Sequence, residues 1–188
     1  GNYGVSHTTI EAQRTNIHEQ AWGVAKGQNT VSAYKSFLDR YPAGTRGDEA
    51  RSIMHHLAFQ EARKADTSTA YESFINAFPG ATEIYEARTR MQGAVYAEAT
   101  AAKDLPSYLA FIRSHPENPH VRVAEDEVYR LSTPQRTIEE YRKFIEANPE
   151  NHRVPDAWRA IYDSYSKDLS VGTITRFIAA YPEYPFME

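Results

Sequence analysis

The chain has 188 residues, a formal net charge of −4 and no cysteine. This length suits one compact domain or one stretch of a repeat array, and no apolar run approaches the roughly 20 residues of a membrane span. The missing cysteines exclude a disulfide framework, thiol catalysis and a cysteine zinc site, and the acidic balance argues against binding to nucleic acid.

Helices are predicted along the whole chain, because apolar residues recur at i, i+3, i+4 and i+7. In the first span, 9–26, Ile10, Ile17, Ala21 and Val24 form an apolar stripe, and we interpret residues 1–29 as an N-terminal capping helix. The later spans are 30–41, 47–65, 67–78, 82–102, 104–115, 120–132, 134–148 and 154–181, the last divided into two helices near Lys167.

A motif of nine residues recurs five times and is the strongest signal in the sequence. Each copy has an aromatic residue or Ile, then Phe three residues later, an aliphatic residue, and Pro at its end. The copies cover 34–42, 71–79, 108–116, 141–149 and 174–182. The first three copies are therefore evenly spaced, and the last two follow at an interval that is shorter by four positions.

An alanine follows each of the first four motif prolines by eight residues and lies on a second helical stripe. The repeating unit is therefore predicted to be a pair of helices, and the small alanines would let the helix backbones approach closely. The four alanines are Ala50, Ala87, Ala124 and Ala157.

A residue suited to capping a helix stands four positions before each motif. In the fourth copy, Thr133 before Pro134 is an equally good start, and both starts stay open. Each motif proline is predicted to end its helix, because proline disfavours helical backbone at the preceding residue. The predicted caps are Thr30, Thr67, Asp104, Thr137 and Ser170.

This pattern resembles the tetratricopeptide repeat family over residues 30–182. The spacing of Tyr71, Phe74 and Pro79 is similar to a variant common in bacterial cell-envelope proteins. The resemblance implies an all-α fold, a right-handed superhelix or solenoid of helical hairpins, with residues 183–188 as a truncated tail. The sequence departs from the family pattern in the first helix of the repeat, where Met54-His55 stands in place of the family's leucine-glycine pair.

The family mapping also implies a concave surface lined by the first helix of each hairpin, and a protein or peptide as its partner. Aromatic residues and arginines are enriched in binding hot spots. For Phe59 and Tyr96, packing against a neighbouring hairpin is an equally weighted interpretation. The candidate partner-binding residues are His56, Phe59, Tyr96, Arg130 and Arg159.

The sequence predicts no catalytic, cofactor or metal site. His55 and His56 are adjacent on a helix, so they point about 100° apart and would not chelate one ion together. The acidic run of Glu125, Asp126 and Glu127 is interpreted as a solvated helix face. We therefore expect a non-catalytic scaffold that binds a protein or peptide, without nucleic acid.

An alternative is a regulatory or accessory segment of a larger cell-envelope protein whose active part lies outside this chain. From the resemblance alone, the location leans toward the periplasm or envelope after removal of a signal peptide. No alanine helix follows Pro182, so we expect Phe177 and Ile178 to lose part of their cover and the natural protein to continue. Phe177→Ala would then cost less stability than Phe111→Ala.

Overall fold

The computed structural model describes residues 7–168 and 171–185, and every regular element within these two ranges is helical. The all-α class is therefore confirmed for this part of the chain. None of the helices described is both long and apolar enough to cross a lipid bilayer. The helices are α1 (His7–Gln28), α2 (Val31–Arg40), α3 (Thr45–Ala65), α4 (Ser68–Ala77), α5 (Ile84–Ala99), α6 (Leu105–Ser114), α7 (Val121–Ser132), α8 (Ile138–Ala147), α9 (Val154–Tyr165), a 3₁₀ turn (Ser166–Asp168) and α10 (Val171–Ala180).

The helices group into two compact units, Gly1–Ala94 and Val95–Glu188, with the boundary inside α5. In the first unit, α1 packs on α2, α2 on α3, and α3 on α4. In the second unit, the same holds from α6 to α10. Contacts between sequence neighbours dominate each unit, as expected of helical repeats.

The predicted N-terminal caps are confirmed wherever the structure describes them. The hydroxyl of Thr30 accepts a hydrogen bond from the Ala33 N–H at 3.1 Å, and the Asp104 carboxylate accepts one from the Ser107 N–H at 2.9 Å. Thr67 caps α4 in the same way. The fifth predicted cap, Ser170, lies outside the described residues.

The fourth motif helix begins at Ile138, so the start at Thr133 and the predicted boundary at residue 134 are wrong. Thr137 and Glu140 form a capping box, in which each side chain accepts a hydrogen bond from the other residue's backbone N–H. This arrangement satisfies two N–H groups that would otherwise lack a partner, which fixes the helix start four residues later than Thr133 implies.

The motif helices end just before their motif prolines, as the sequence predicts. The residue before each proline leaves the helix with φ near −133° and donates its N–H to the carbonyl of the motif Phe. Proline itself has no N–H and crowds the preceding residue, so the helix stops there. These end residues are Tyr41, Phe78, His115 and Asn148.

Each motif Phe packs against one aromatic ring of the preceding helix, and the two rings are fifteen residues apart in every hairpin. Trp22 makes this contact from α1, so α1 and α2 pair in the same way as the later hairpins. The ring centroids are separated by 5.3 Å (Trp22–Phe37), 5.4 Å (Phe59–Phe74), 5.2 Å (Tyr96–Phe111), 5.1 Å (Tyr129–Phe144) and 5.3 Å (Tyr162–Phe177).

The four predicted alanines are fully buried, at 0% exposure. The shortening of the later repeats lies between this alanine and the aromatic ring. Ala50 precedes Phe59 by nine residues, whereas Ala124 precedes Tyr129 by five. Four residues are about one helical turn, so α7 loses a turn while its alanine and ring stay on nearly the same face.

The residue before each described cap adopts a left-handed backbone conformation. Asn29 and Asp66 accept hydrogen bonds there from the Tyr34 and Tyr71 hydroxyls, at 3.2 and 2.6 Å. Lys103, with φ of 53°, has no acceptor to offer a tyrosine, and a non-glycine residue in this region costs about 1–2 kcal/mol.

We predict that Lys103→Gly raises the free energy of unfolding by about 0.5–1 kcal/mol, because glycine adopts this conformation without a steric penalty. Asp66→Gly should instead lower it, because the Tyr71 hydroxyl loses its acceptor. Urea unfolding followed by circular dichroism measures both. A destabilised Lys103→Gly protein would show that the lysine side chain contributes more than its backbone costs.

The expected loss of cover at the last motif is wrong for Phe177 and confirmed for Ile178. Phe177 is 2% exposed, whereas Ile178 is 45% exposed. Tyr162, Tyr181 and Tyr184 surround Phe177, with ring centroids 5.0–5.3 Å away. The cover of Phe177 comes from tyrosine rings and not from a following helix.

We therefore predict that Phe177→Ala and Phe111→Ala cost similar amounts, about 3–5 kcal/mol each, since both leave a cavity among buried rings. Ile178→Ala is the matched control and should cost clearly less than either. Chemical unfolding of the three variants tests this. A Phe177→Ala cost close to that of Ile178→Ala would contradict the tyrosine packing.

Candidate binding surface

Three of the five candidate partner-binding residues lie on exposed faces of first helices. His56 is on α3 in the first unit, and Arg130 and Arg159 are on α7 and α9 in the second. Arg130 pairs with Glu127 at 2.7 Å, and Arg159 lies 3.9 Å from Asp156. Both arginine side chains keep more than half of their surface exposed, so they are accessible to a partner.

The other two candidates are part of the packing between helices. Phe59 is 2% exposed and packs on Phe74, so it is not on the surface. Tyr96 is half-buried, stacks on His120 at 5.1 Å and meets Phe111 edge-on. Burial raises the pKa of the Tyr96 hydroxyl. Both residues fit the packing interpretation that the sequence left open.

A polar contact recurs between consecutive first helices, and we call it the inter-helix bridge. One partner stands four positions before the buried alanine of a first helix. The other partner belongs to the preceding first helix and stands three positions before the aromatic ring that contacts the motif Phe. In the second unit, Arg153 Nε donates to Asp126 at 2.5 Å, and Arg153 also donates to Asp156 at 2.9 Å. The bridge thus connects the start of α9 to α7.

The first unit contains the same bridge twice. Arg46 donates to Glu19 of α1 at 3.3 Å and to Glu49 at 3.0 Å. At the next position the acidic partner is on the later helix, with Glu83 3.6 Å from the ring of His56. The partners have the same separation in sequence in all three bridges. His56, a candidate for partner binding, therefore contacts Glu83 while 60% of its side chain stays exposed.

The turn before α9 reinforces the bridge in the second unit. The buried Asn151 side chain donates to the Glu125 carbonyl at 3.1 Å and accepts from the Arg153 N–H at 2.9 Å. The His152 ring lies between two carboxylates, 2.6 Å from Glu125 and 2.9 Å from Asp126. Three consecutive residues thereby hold α9 against α7.

One exposed face of α7 and one of α9 form the candidate binding surface. It carries both signs of charge and one exposed apolar side chain, and the Arg153 bridge fixes the spacing of the two helices beneath it. Its members are Val123, Asp126, Arg130, Asp156, Arg159 and Asp163.

Hydrogen bonding and burial shift the pKa values of two side chains on α7. The hydrogen bond from Arg153 lowers the pKa of Asp126 below its ordinary value of 3.8. Burial, and then the neighbouring Tyr141, raise the pKa of Tyr129 to about 12. An unfolded tyrosine loses its proton near pH 10, so Tyr129 contributes stability that is lost between about pH 10 and 12.

The sequence analysis missed the bridge residues Arg46 and Arg153. Each stands at the same distance in sequence after an acidic residue, and this recurring separation would have identified them. Within 7–168 and 171–185, no group of three or more metal-ligating side chains is arranged to hold an ion.

A scan against known protein families finds no matching model, and no curated protein is significantly similar in sequence. The tetratricopeptide resemblance therefore depends on the residues of this chain alone.

We predict that Arg153→Met lowers the free energy of unfolding at pH 7 by about 1 kcal/mol, since its ion pairs are partly exposed. Asp126 has a lowered pKa in the fold, so its contribution is present above the ordinary aspartate pKa and is lost as the pH falls through the folded value. The difference between wild type and Arg153→Met should therefore shrink in acid.

Arg113→Met is the matched control, because this guanidinium makes no ion pair among the described residues. Urea unfolding at pH 7 and at decreasing pH measures both variants. Equal costs for the two substitutions, or a difference that does not change with pH, would contradict the bridge.

Proposed function

We propose that this chain is a non-catalytic scaffold of tetratricopeptide-like hairpins that binds a protein or peptide on the concave surface lined by its first helices. In this proposal successive hairpins wind into a right-handed superhelix. The repeated ring contact and the buried alanines support the hairpin part of the proposal, because they give every unit the same internal packing.

The candidate binding surface on α7 and α9 is the observation that carries the binding role. Its backbone positions are held by Arg153, Asn151 and His152 before any partner arrives. A surface fixed in advance loses less conformational entropy on binding than one that must be ordered.

The chemistry of the surface suits an extended peptide. Arg130 and Arg159 offer donors to carboxylates and backbone carbonyls, and the aspartates Asp156 and Asp163 accept from amides and cations. Val123, at 46% exposure, adds an apolar contact at one edge. Mixed polar contacts around a small apolar area are typical of interfaces that form and dissociate.

The test places a photoreactive benzoylphenylalanine at position 123 and irradiates the protein in an extract of its native cells. We expect a defined adduct from position 123, and Arg130→Glu with Arg159→Glu should reduce it at least tenfold. The matched control carries the same group at Glu146, an exposed position on the motif helix α8.

Equal labelling from positions 123 and 146 would contradict a binding surface on the first helices. Absence of any adduct at micromolar concentrations would contradict it as well. Circular dichroism of each variant, compared with wild type, shows that the substitutions leave the fold intact.

A further inference from the structure

A groove of about 530 Å³ lies between the motif helices α6 and α8, inside the second unit. Its volume falls within the range of about 300–1,000 Å³ that is typical of small-molecule sites. We call it the α6–α8 groove. The residues that matter here are Leu105, Leu109 and Arg113 of α6, and Lys143, Phe144 and Ala147 of α8.

The α6 wall of the groove is an apolar row that ends in a cation. Leu105, Leu109 and Arg113 are four residues apart, so they follow one side of the helix over about 12 Å. Both leucines are partly buried and pack against the core of the unit. Leu109 is an exception among the motif copies, because the residues at its position in the other four are polar: Lys35, Glu72, Arg142 and Thr175.

Arg113 is the second exception among the motif copies. The residues at its position in the other four carry no positive charge: Asp39, Asn76, Glu146 and Ala179. Arg113 is exposed and makes no ion pair with any residue that the structure describes. Two departures from the repeat pattern therefore meet in one groove.

Lys143 supplies a second cation from the α8 wall. It lies 2.7 Å from Glu139, and both side chains are more than 70% exposed. An ion pair in such a setting contributes little to stability, so Lys143 can turn to a ligand at small cost. The groove thus offers an apolar row and two positive charges to one molecule.

The first unit contains a corresponding groove of the opposite charge. This groove, of about 350 Å³, has Val31, Phe74 and Ala77 at the positions of Leu105, Phe144 and Ala147. Glu61 lines it, and no basic side chain is among the described residues around it. Similar apolar walls are therefore combined with a carboxylate in one unit and with cations in the other. An anion is attracted only to the second.

The polar groups of the α6–α8 groove favour an alkyl chain over an extended peptide. Its walls are α-helices, whose backbone N–H and C=O groups are paired within each helix. The Asn148 side chain at its edge already donates to the Phe144 carbonyl at 3.2 Å. A peptide backbone would find few partners here, and unpaired polar groups are costly to bury. An alkyl chain has no such groups.

We propose that the α6–α8 groove binds a fatty acid, with its alkyl chain along Leu105 and Leu109 and its carboxylate at Arg113 and Lys143. Charge-assisted contacts with the two cations fix the head group, and burial of methylenes holds the chain. This site lies on motif helices, so it goes beyond the binding role proposed for the first helices and does not depend on it.

The test titrates decanoate into the full chain, with calorimetry for the dissociation constant and amide NMR shifts for the location. We expect saturable binding with a dissociation constant on the order of 0.1 mM, and the largest shifts on α6 and α8. Decyltrimethylammonium has the same chain with a cationic head and should bind at least tenfold more weakly. Octanoate should bind about four- to sixteenfold more weakly than decanoate, because each buried methylene adds about two- to fourfold in affinity.

A double variant tests the cations. Arg113→Met with Lys143→Met removes both charges and keeps unbranched side chains, so we expect decanoate to bind at least tenfold more weakly. The matched control, Arg122→Met with Arg142→Met, removes the same charge from exposed positions on α7 and α8 outside the groove. It should bind decanoate as wild type does. Circular dichroism checks that both proteins keep their helices.

Other results overturn the proposal. Absence of saturable decanoate binding below about 1 mM means that the groove is not such a site. Equally tight binding of decyltrimethylammonium, or an equal loss in the control pair, shows that the two cations do not hold the head group. Shifts centred on the groove around Glu61 would place the ligand elsewhere. Tighter binding of N-acetyl-leucyl-leucine in the same groove would make the occupant a peptide.

Discussion

The contact between the motif phenylalanine and one ring of the preceding helix is the constraint on which each hairpin depends. Its centroid distance varies only from 5.1 to 5.4 Å, although the first helices range from 12 to 22 residues. The rings are always fifteen residues apart, although α3 continues for six residues beyond its ring and α7 for only three. The geometry of a hairpin is decided where its two helices meet.

The inter-helix bridge works on a different scale, since it positions one hairpin against the next. The acidic partner is on the earlier helix in Arg46–Glu19 and on the later helix in Glu83–His56, at the same separation in sequence. What is retained is a contact between an acidic side chain and an arginine or histidine at these two positions. Arg130 and Arg159 keep more than half of their side-chain surface exposed, and the proposed function assigns them to a partner.

Much of the fold follows from spacing and caps in the sequence, because both act over one or two turns. Thr30, Thr67 and Asp104 are predicted correctly for that reason. The start of the fourth motif helix was left open, because Thr133 before Pro134 is also a typical helix start. The capping pair of Thr137 and Glu140 decides between the two. Burial of Phe177 depends on tyrosines beyond its own helix. Phe59 was a surface candidate because helical periodicity identifies a face without saying what covers it.

The placement of the two tryptophans has a practical consequence for spectroscopy. Trp22 lies in the first unit beside Phe37, and Trp158 lies in the second, 5.8 Å from Tyr181 and 6.0 Å from Tyr184. Each unit thus contains its own fluorophore in a buried aromatic setting. Replacing either indole with phenylalanine would give a protein whose remaining emission follows the melting of a single unit, so the cooperativity between the halves becomes an optical measurement.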